Sequence, residues 1–280
     1  MSAVLDDILS SHRTRRPVVM GVLNVTPDSF SDGGDFLSPS VAVAQARRMI
    51  SDGADIIDIG AESTRPGSDR VSPAEQIARL ADILPTVTAT GAIVSIDTTS
   101  ADVAAFALDS GAVMVNDVSA GRDDPAILAL TAQRGAALCL MHMLGEPKAM
   151  QVDPQYDDVV AEVKAFLAER VDVACAAGVS RERIIVDPGI GFGKKLAHNL
   201  ALLANVAELC SLGLPVLVGA SRKRFIDDVA NVPMSADRVP GTIAACLAAR
   251  RGGATIFRVH DVAATVQALK VAAAIDHAGA

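Results

Sequence analysis

Gly91-Ala92-Ile93-Val94-Ser95-Ile96-Asp97-Thr98 holds, in eight residues, a motif that the chain repeats. A glycine just past a helix-periodic stretch is the left-handed cap that ends a helix. The Ile/Val run behind it reads as a strand buried on both faces. The same junction occurs at Gly53-Ala54, Gly111-Ala112, Gly135-Ala136 and Gly253-Ala254, with Gly178-Val179 and Gly213-Leu214 as variants. Strands are accordingly predicted at 18–24, 55–61, 93–98, 113–118, 138–143, 184–189, 216–221 and 255–260. Helix starts fall between them. Ser38-Pro39 and Asp124-Pro125 set a capping side chain before a proline, and Ser72-Pro73-Ala74-Glu75 is a capping box. Ile77, Leu80 and Leu84 form one apolar stripe, and Val160, Val163 and Leu167 another. Eight β/α units in 280 residues, with no low-complexity linker, predict an α/β chain folded as a single-domain (β/α)8, or TIM, barrel over 17–280 behind an N-terminal extension, 1–16. A doubly wound open sheet is the alternative, but it should carry a GxGxxG turn after an early strand, and none is present.

Composition narrows the function classes. Half of the residues are hydrophobic and the mean hydropathy is +0.35. Even so, no uncharged apolar run reaches the roughly 18 residues of a membrane span. The first sixteen residues hold Asp6, Asp7, His12 and three arginines, unlike a signal peptide. A soluble cytoplasmic protein is expected. A net charge of −8, no tryptophan and 3% aromatics argue against a general nucleic-acid role. Cys139, Cys175, Cys210 and Cys246 form no CxxC or Cys/His cluster and read as free thiols.

The predicted strands end in polar residues: Asn24, Glu62, Asp97, Asn116-Asp117, His142, Asp187, Ser221 to Arg224, and Arg258-Val259-His260-Asp261. In this barrel the C-terminal strand ends build the active site. Asp97, Asn116 and Asp187 would converge on a low-dielectric pocket, where carboxylates need donors; a planar heterocycle with adjacent N–H groups supplies them. Lys223, Arg224, Arg258 and His260 cluster after strands seven and eight, where such barrels bind phosphate. The expected ligand is a polar planar ring with a phosphate-like anion. Gly189-Ile190-Gly191-Phe192-Gly193-Lys194 lacks Walker spacing, so its glycines read as allowing close approach to a ligand. His142 reads as a satisfied core histidine, since no second ligand stands at metal spacing.

Two longer segments carry a family resemblance. Residues 21–34, GVLNVTPDSFSDGG, and 58–67, DIGAESTRPG, resemble the two signatures of the dihydropteroate synthases. Ser95-Ile96-Asp97-Thr98, Val115-Asn116-Asp117, Asp187-Pro188-Gly189, Ser221-Arg222-Lys223 and Arg258-Val259-His260-Asp261 follow in family order, so the resemblance runs from about 17 to 275. It implies a barrel, usually a homodimer, that joins 6-hydroxymethyl-7,8-dihydropterin diphosphate to 4-aminobenzoate with Mg²⁺, releasing pyrophosphate. It also implies pterin contacts at Asp97, Asn116, Asp187 and Lys223, with Met141 and Phe192 walling the ring. Asn24 matches the magnesium ligand, and Arg258 and His260 match the diphosphate site. Thr64, Arg65, Pro66 and Phe30 should frame the aminobenzoate, and Ser221 is expected among the substrate contacts. Asp97, Lys223, Arg258 and His260 are the residues expected to act in catalysis. Where the family often has Ser, this chain has Arg224. Loops 25–37 and 61–72 are long for βα connections and are expected to close over the reacting cation.

Three other readings compete. A pterin-dependent methyltransferase of similar barrel type would keep the Asp/Asn/Asp pocket without needing the Arg-x-His pair or the Thr-Arg-Pro loop. A non-catalytic pterin-binding paralogue would share the scaffold. A purely structural protein would not account for the polar ring.

Overall fold

In the computed structural model, residues 3–14, 16–26, 39–63, 70–145 and 150–278 are described. Their strands are β1 (Val18–Asn24), β2 (Ile56–Gly60), β3 (Ile93–Asp97), β4 (Met114–Asp117), β5 (Ala137–Met141), β6 (Ile184–Asp187), β7 (Leu217–Val218) and β8 (Ile256–Val259). They form one parallel sheet ordered β6-β5-β4-β3-β2-β1-β8-β7, and a parallel bridge between Val186 and Val216 joins its two edges. The result is the expected barrel of eight strands with surrounding helices. The predicted glycine caps hold: Gly135 ends its helix at φ 59°, and the other six junction glycines also have positive φ.

Strand parity divides the interior from the helix-facing layer. On β2, Ile57 and Ile59 pack outward against the helices, while Ile56, Asp58 and Gly60 alternate with them and turn inward. On β3 the inward set is Ile93, Ser95 and Asp97; on β8 it is Ile256 and Arg258. The lower barrel is therefore an apolar cluster of Val18, Met20, Ile56, Ile93, Met114, Ile185, Leu217 and Ile256. The upper barrel is polar. The extension ahead of β1 is packed: Leu5 and Ile8 of the helix Ala3–Leu9 are fully buried in the lower cluster. Ser11 Oγ donates to Thr255 Oγ1 at 2.9 Å beside it.

Two local expectations shift. The stripe of Ile77, Leu80 and Leu84 spans two helices, Pro73–Leu80 and Leu84–Thr88, because Pro85 has no N–H to donate back to Ala81 and its ring crowds that carbonyl. The seventh strand shrinks to Leu217–Val218, and residues 219–221 leave the sheet toward the mouth. Ser72 Oγ does cap its helix, accepting from Glu75 N, but Glu75 pairs with Arg79. Asp124 Oδ1 accepts from Ala126 N at the start of the next helix; Ser38 lies outside the described residues. Among the described residues, no helix is long and apolar enough to cross a membrane.

Candidate active site

The barrel mouth is built on three inward residues at the ends of β3, β4 and β6. Asp97, Asn116 and Asp187 are 8%, 4% and 5% exposed, so each polar head must find a partner inside the protein or in a ligand. Arg258 joins them from β8. Its Nε donates to Asp58 Oδ2 at 2.6 Å and its Nη2 to Asp97 Oδ2 at 2.7 Å. Asn116 Nδ2 donates to the same Asp58 oxygen at 3.1 Å. Burial lowers the Arg258 pKa, but Asp58 and Asp97 more than offset this, and the guanidinium ends above its usual value. Asp97 is pushed up to about 7, by burial first and against the pull of Arg258.

Two glycines keep space open between these groups. A Cβ on Gly60 would stand 3.5 Å from Asn24 Oδ1 and 3.7 Å from Asp97 Oδ2. One on Gly219 would stand 3.9 Å from both Arg258 Cβ and Asp187 Oδ2. Neither position thus sets a side chain at the level where the polar heads converge. Val118, Met141, Met143 and Met150, with Phe192 against them, supply an apolar wall above.

The 189–194 segment carries that wall's aromatic ring. Gly189 N donates to Asp187 Oδ1 at 2.7 Å, and Gly191 N to Asn199 Oδ1 at 2.7 Å. Lys223 Nζ donates to Ile190 O and lies 4.0 Å from the centre of the Phe192 ring. Burial lowers Lys223 to about 7 despite the nearby Asp187. Lys194, 3% exposed, has its Nζ 2.9 Å from His142 Nδ1 and 3.0 Å from Phe192 O, and burial brings it to about 7 as well. His142, lowered to about 3 by burial and then by Lys194, stays neutral and packs edge-on against Phe166. It is a satisfied core histidine.

The side of the mouth after β7 and β8 is organised by one residue in an unusual conformation. Arg222 has φ 58°, in the left-handed region that non-glycine residues avoid. It is held there by two bonds to Asp261, at 2.9 and 2.5 Å, and by its N–H donating to Thr242 Oγ1 at 3.0 Å. This turn carries Ser221 and Lys223 on either side of Arg222, and Asp261 follows His260 in the chain. Arg224 opens the next helix, is largely exposed and pairs with Asp228 at 3.5 Å.

The structure thus gathers Asp97, Asn116, Asp187, Lys223 and Arg258, sets Asn24 beside Asp97, and joins Ser221 to His260. Phe30, Thr64, Arg65 and Pro66 lie outside the described residues. Two strand-end groups serve their own loops and a third meets the loop after β6. Glu62 accepts from Val71 N at 2.7 Å, Asp117 accepts from Ser119 N and Gly121 N, and His142 faces Lys194. Asp58 was missed as a site residue; its signal is an acid at an inward parity position in an otherwise apolar strand.

The pterin-binding enzyme family model matches residues 20–260. A dihydropteroate synthase of Synechocystis is 49% identical over 262 residues, covering 93% of this chain and 91% of that protein. The Xanthomonas albilineans dihydropteroate synthase with 4-aminobenzoic acid superposes with a TM-score of 0.88 at 46% identity, covering 93% of each chain. The same enzyme in complex with 7,8-dihydropteroate gives 0.84 at 44% identity, covering 93% of this chain and 94% of that one. The chain belongs to the pterin-binding enzymes and, within them, to the dihydropteroate synthases.

Proposed function

We propose that this barrel performs the dihydropteroate synthase condensation by a dissociative route. The bond between the pterin methylene carbon and the diphosphate oxygen breaks first, and its electron pair leaves with pyrophosphate. The electron-rich dihydropterin ring stabilises the resulting methylene cation. The neutral amine of 4-aminobenzoate then attacks, forms the new C–N bond and releases a proton. Such a reaction asks for charge stabilisation at both ends rather than a strong general base. The observation that carries this reading is the meeting of Asp97, Asn116 and Asp187 with Arg258 and Lys223 in one buried mouth.

The roles follow from position. Asp187 and Asn116 accept from the N–H edge of the ring, and Asp97 sits where positive charge develops. Met141 and Phe192 wall the ring, and Lys223 bridges it to the anion side. Arg258 and His260 take the leaving group, with Ser221 aligning His260. Thr64, Arg65, Pro66 and Phe30 are assigned to the aminobenzoate. Residues 17–280 act as one domain, and a cytoplasmic homodimer belongs to the same reading.

The donors fit Mg²⁺. Asn24 offers one neutral oxygen beside the open space at Gly60. Among the described residues, no group of three His, Cys, Asp or Glu is placed to hold a metal. An ion that keeps its waters and takes one or two protein oxygens plus phosphate suits that arrangement. When bound it would neutralise charge on the departing pyrophosphate.

Pyrophosphate release that requires both the pterin diphosphate and 4-aminobenzoate, with Mg²⁺ present, tests the reading. Release with the pterin diphosphate alone would point to a hydrolase. Tight pterin binding with no release under any condition would favour the non-catalytic paralogue.

A further inference from the structure

Asn116 can present either end of its amide to a ligand, and a single neighbour decides which. Asp58 is fully buried on β2, one inward step below Gly60, so its carboxylate lies under the open space of the mouth. Its Oδ2 accepts from Asn116 Nδ2 at 3.1 Å and from Arg258 Nε at 2.6 Å. An ionised carboxylate only accepts, so it draws the NH2 end of Asn116 toward itself and leaves the carbonyl end for the ligand. Its other oxygen, Oδ1, has no partner among the described residues. Nor does the hydroxyl of Ser95, its register partner on β3. Among the described residues, the hydrogen bonding of this buried acid therefore passes through the oxygen that holds Asn116 and Arg258.

We infer that Asp58 is a positioning residue that sets ring specificity: it forces Asn116 to face the ligand as an acceptor and fixes the plane of Arg258. The inference rests on the functional reading above for the identity of the ring. In their carboxylate forms Asp97 and Asp187 are acceptors; Asp58 makes the amide between them a third. A ring offering N–H donors along its edge is then matched, and one offering acceptors there meets lone pairs. Replacing Asp58 by Asn removes the constraint, because a carboxamide can donate to the Asn116 carbonyl and allow the amide to turn over.

The test uses 6-hydroxymethylpterin, a ring without diphosphate, so that its readout is independent of turnover. Calorimetric titration compares the native chain with Asp58→Asn, Asn116→Ala and the double variant. Asp58→Asn should weaken ring binding by about 10- to 100-fold, the scale on which misplaced groups lose their effect. The double variant should bind at least about fivefold better than the product of the two single losses, as coupled residues do. Losses that multiply independently would overturn the inference. A second readout needs no variant: in the ¹⁵N-labelled native chain, the Asn116 side-chain NH2 protons should be protected from solvent exchange before any ligand is added. Exchange at the rate of an exposed amide would also overturn it. If the native chain fails to bind the pterin at all while those protons are protected, the functional reading falls and the role of Asp58 in orienting the amide stands.

Discussion

Ser221 and His260 are joined twice: Ser221 Oγ accepts from the His260 backbone N–H at 3.1 Å and lies 3.0 Å from its Nδ1. The hydroxyl is thus placed to give its proton to Nδ1, so that a diphosphate would meet the other ring nitrogen, Nε2. Ser221→Ala removes that alignment while leaving the imidazole in place. One neutral hydrogen bond is a matter of about 1 kcal/mol, so the KM for pterin diphosphate should rise about fivefold. A KM for 4-aminobenzoate that rises in its place would assign Ser221 to that substrate instead. Steady-state kinetics with each substrate varied in turn separates the two, and an unchanged pterin KM would remove Ser221 from the alignment of His260.

Arg222 sets two opposing effects against each other. Its left-handed backbone costs about 1–2 kcal/mol for a residue bearing a Cβ, which glycine would relieve. Its two bonds to Asp261 stabilise the native turn, though less than buried ones would, since the Arg222 side chain is 32% exposed. Arg222→Gly should therefore shift the thermal midpoint by only a few degrees, while the loops carrying Lys223 and His260 lose their common anchor. Turnover should fall at least about tenfold. A variant that melts far lower but retains full activity would mean that the pair serves the fold and not the site.

The barrel was legible because its signals are local. Glycine caps and β-rich runs act over a few residues, and Gly91-Ala92 followed by Ile93–Asp97 reads the same with or without the rest of the chain. The inward polar set was legible too, since Asp97, Asn116, Asp187 and Arg258 each interrupt or end an apolar run. What escaped depends on partners distant in sequence. Asp58 meets Arg258 across 200 positions, and Lys194 meets His142 across 52. Periodicity carries no information about either meeting. The left-handed turn at Arg222 was equally hidden, because bonds to the distant Thr242, Asp261 and Arg238 make it tolerable.

Gly189 separates a requirement of shape from one of flexibility. Its φ is +67°, and an added Cβ would overlap the backbone carbonyl oxygen of His142, which cannot rotate aside. Gly189→Ala should cost about 3 kcal/mol in denaturant unfolding, from overpacking and backbone strain together. Because Gly189 N also holds Asp187, pterin affinity should fall in the same variant. Gly91 offers the comparison: its φ is +80°, but nothing lies within 4 Å of its added Cβ. Gly91→Ala should show the backbone penalty alone, and equal losses at the two sites would exclude the overlap at Gly189 as the cause.

The buried charges also set a pH dependence with a definite sign. Asp97 is raised to about 7, chiefly by burial, so the folded state holds its proton more tightly than the unfolded chain does. Its contribution to stability is accordingly present at low pH and is lost as pH rises from the ordinary carboxylate range through about 7. Catalysis depends on the opposite form, because only the carboxylate can face a developing cation. Lys223, lowered to about 7 by burial, is charged below that pH and neutral above it. The product of the two required forms peaks near neutrality, and kcat/KM for pterin diphosphate should trace a narrow bell whose limbs belong to the pair jointly. A bound diphosphate favours the charged lysine, so the alkaline limb of kcat should lie at higher pH than that of kcat/KM. Lys223→Met should abolish this limb, whereas Lys194→Met, which removes the charge beside His142, should leave it in place. A flat kcat/KM from pH 6 to about 8.5 in the native chain would show that neither buried charge limits the reaction.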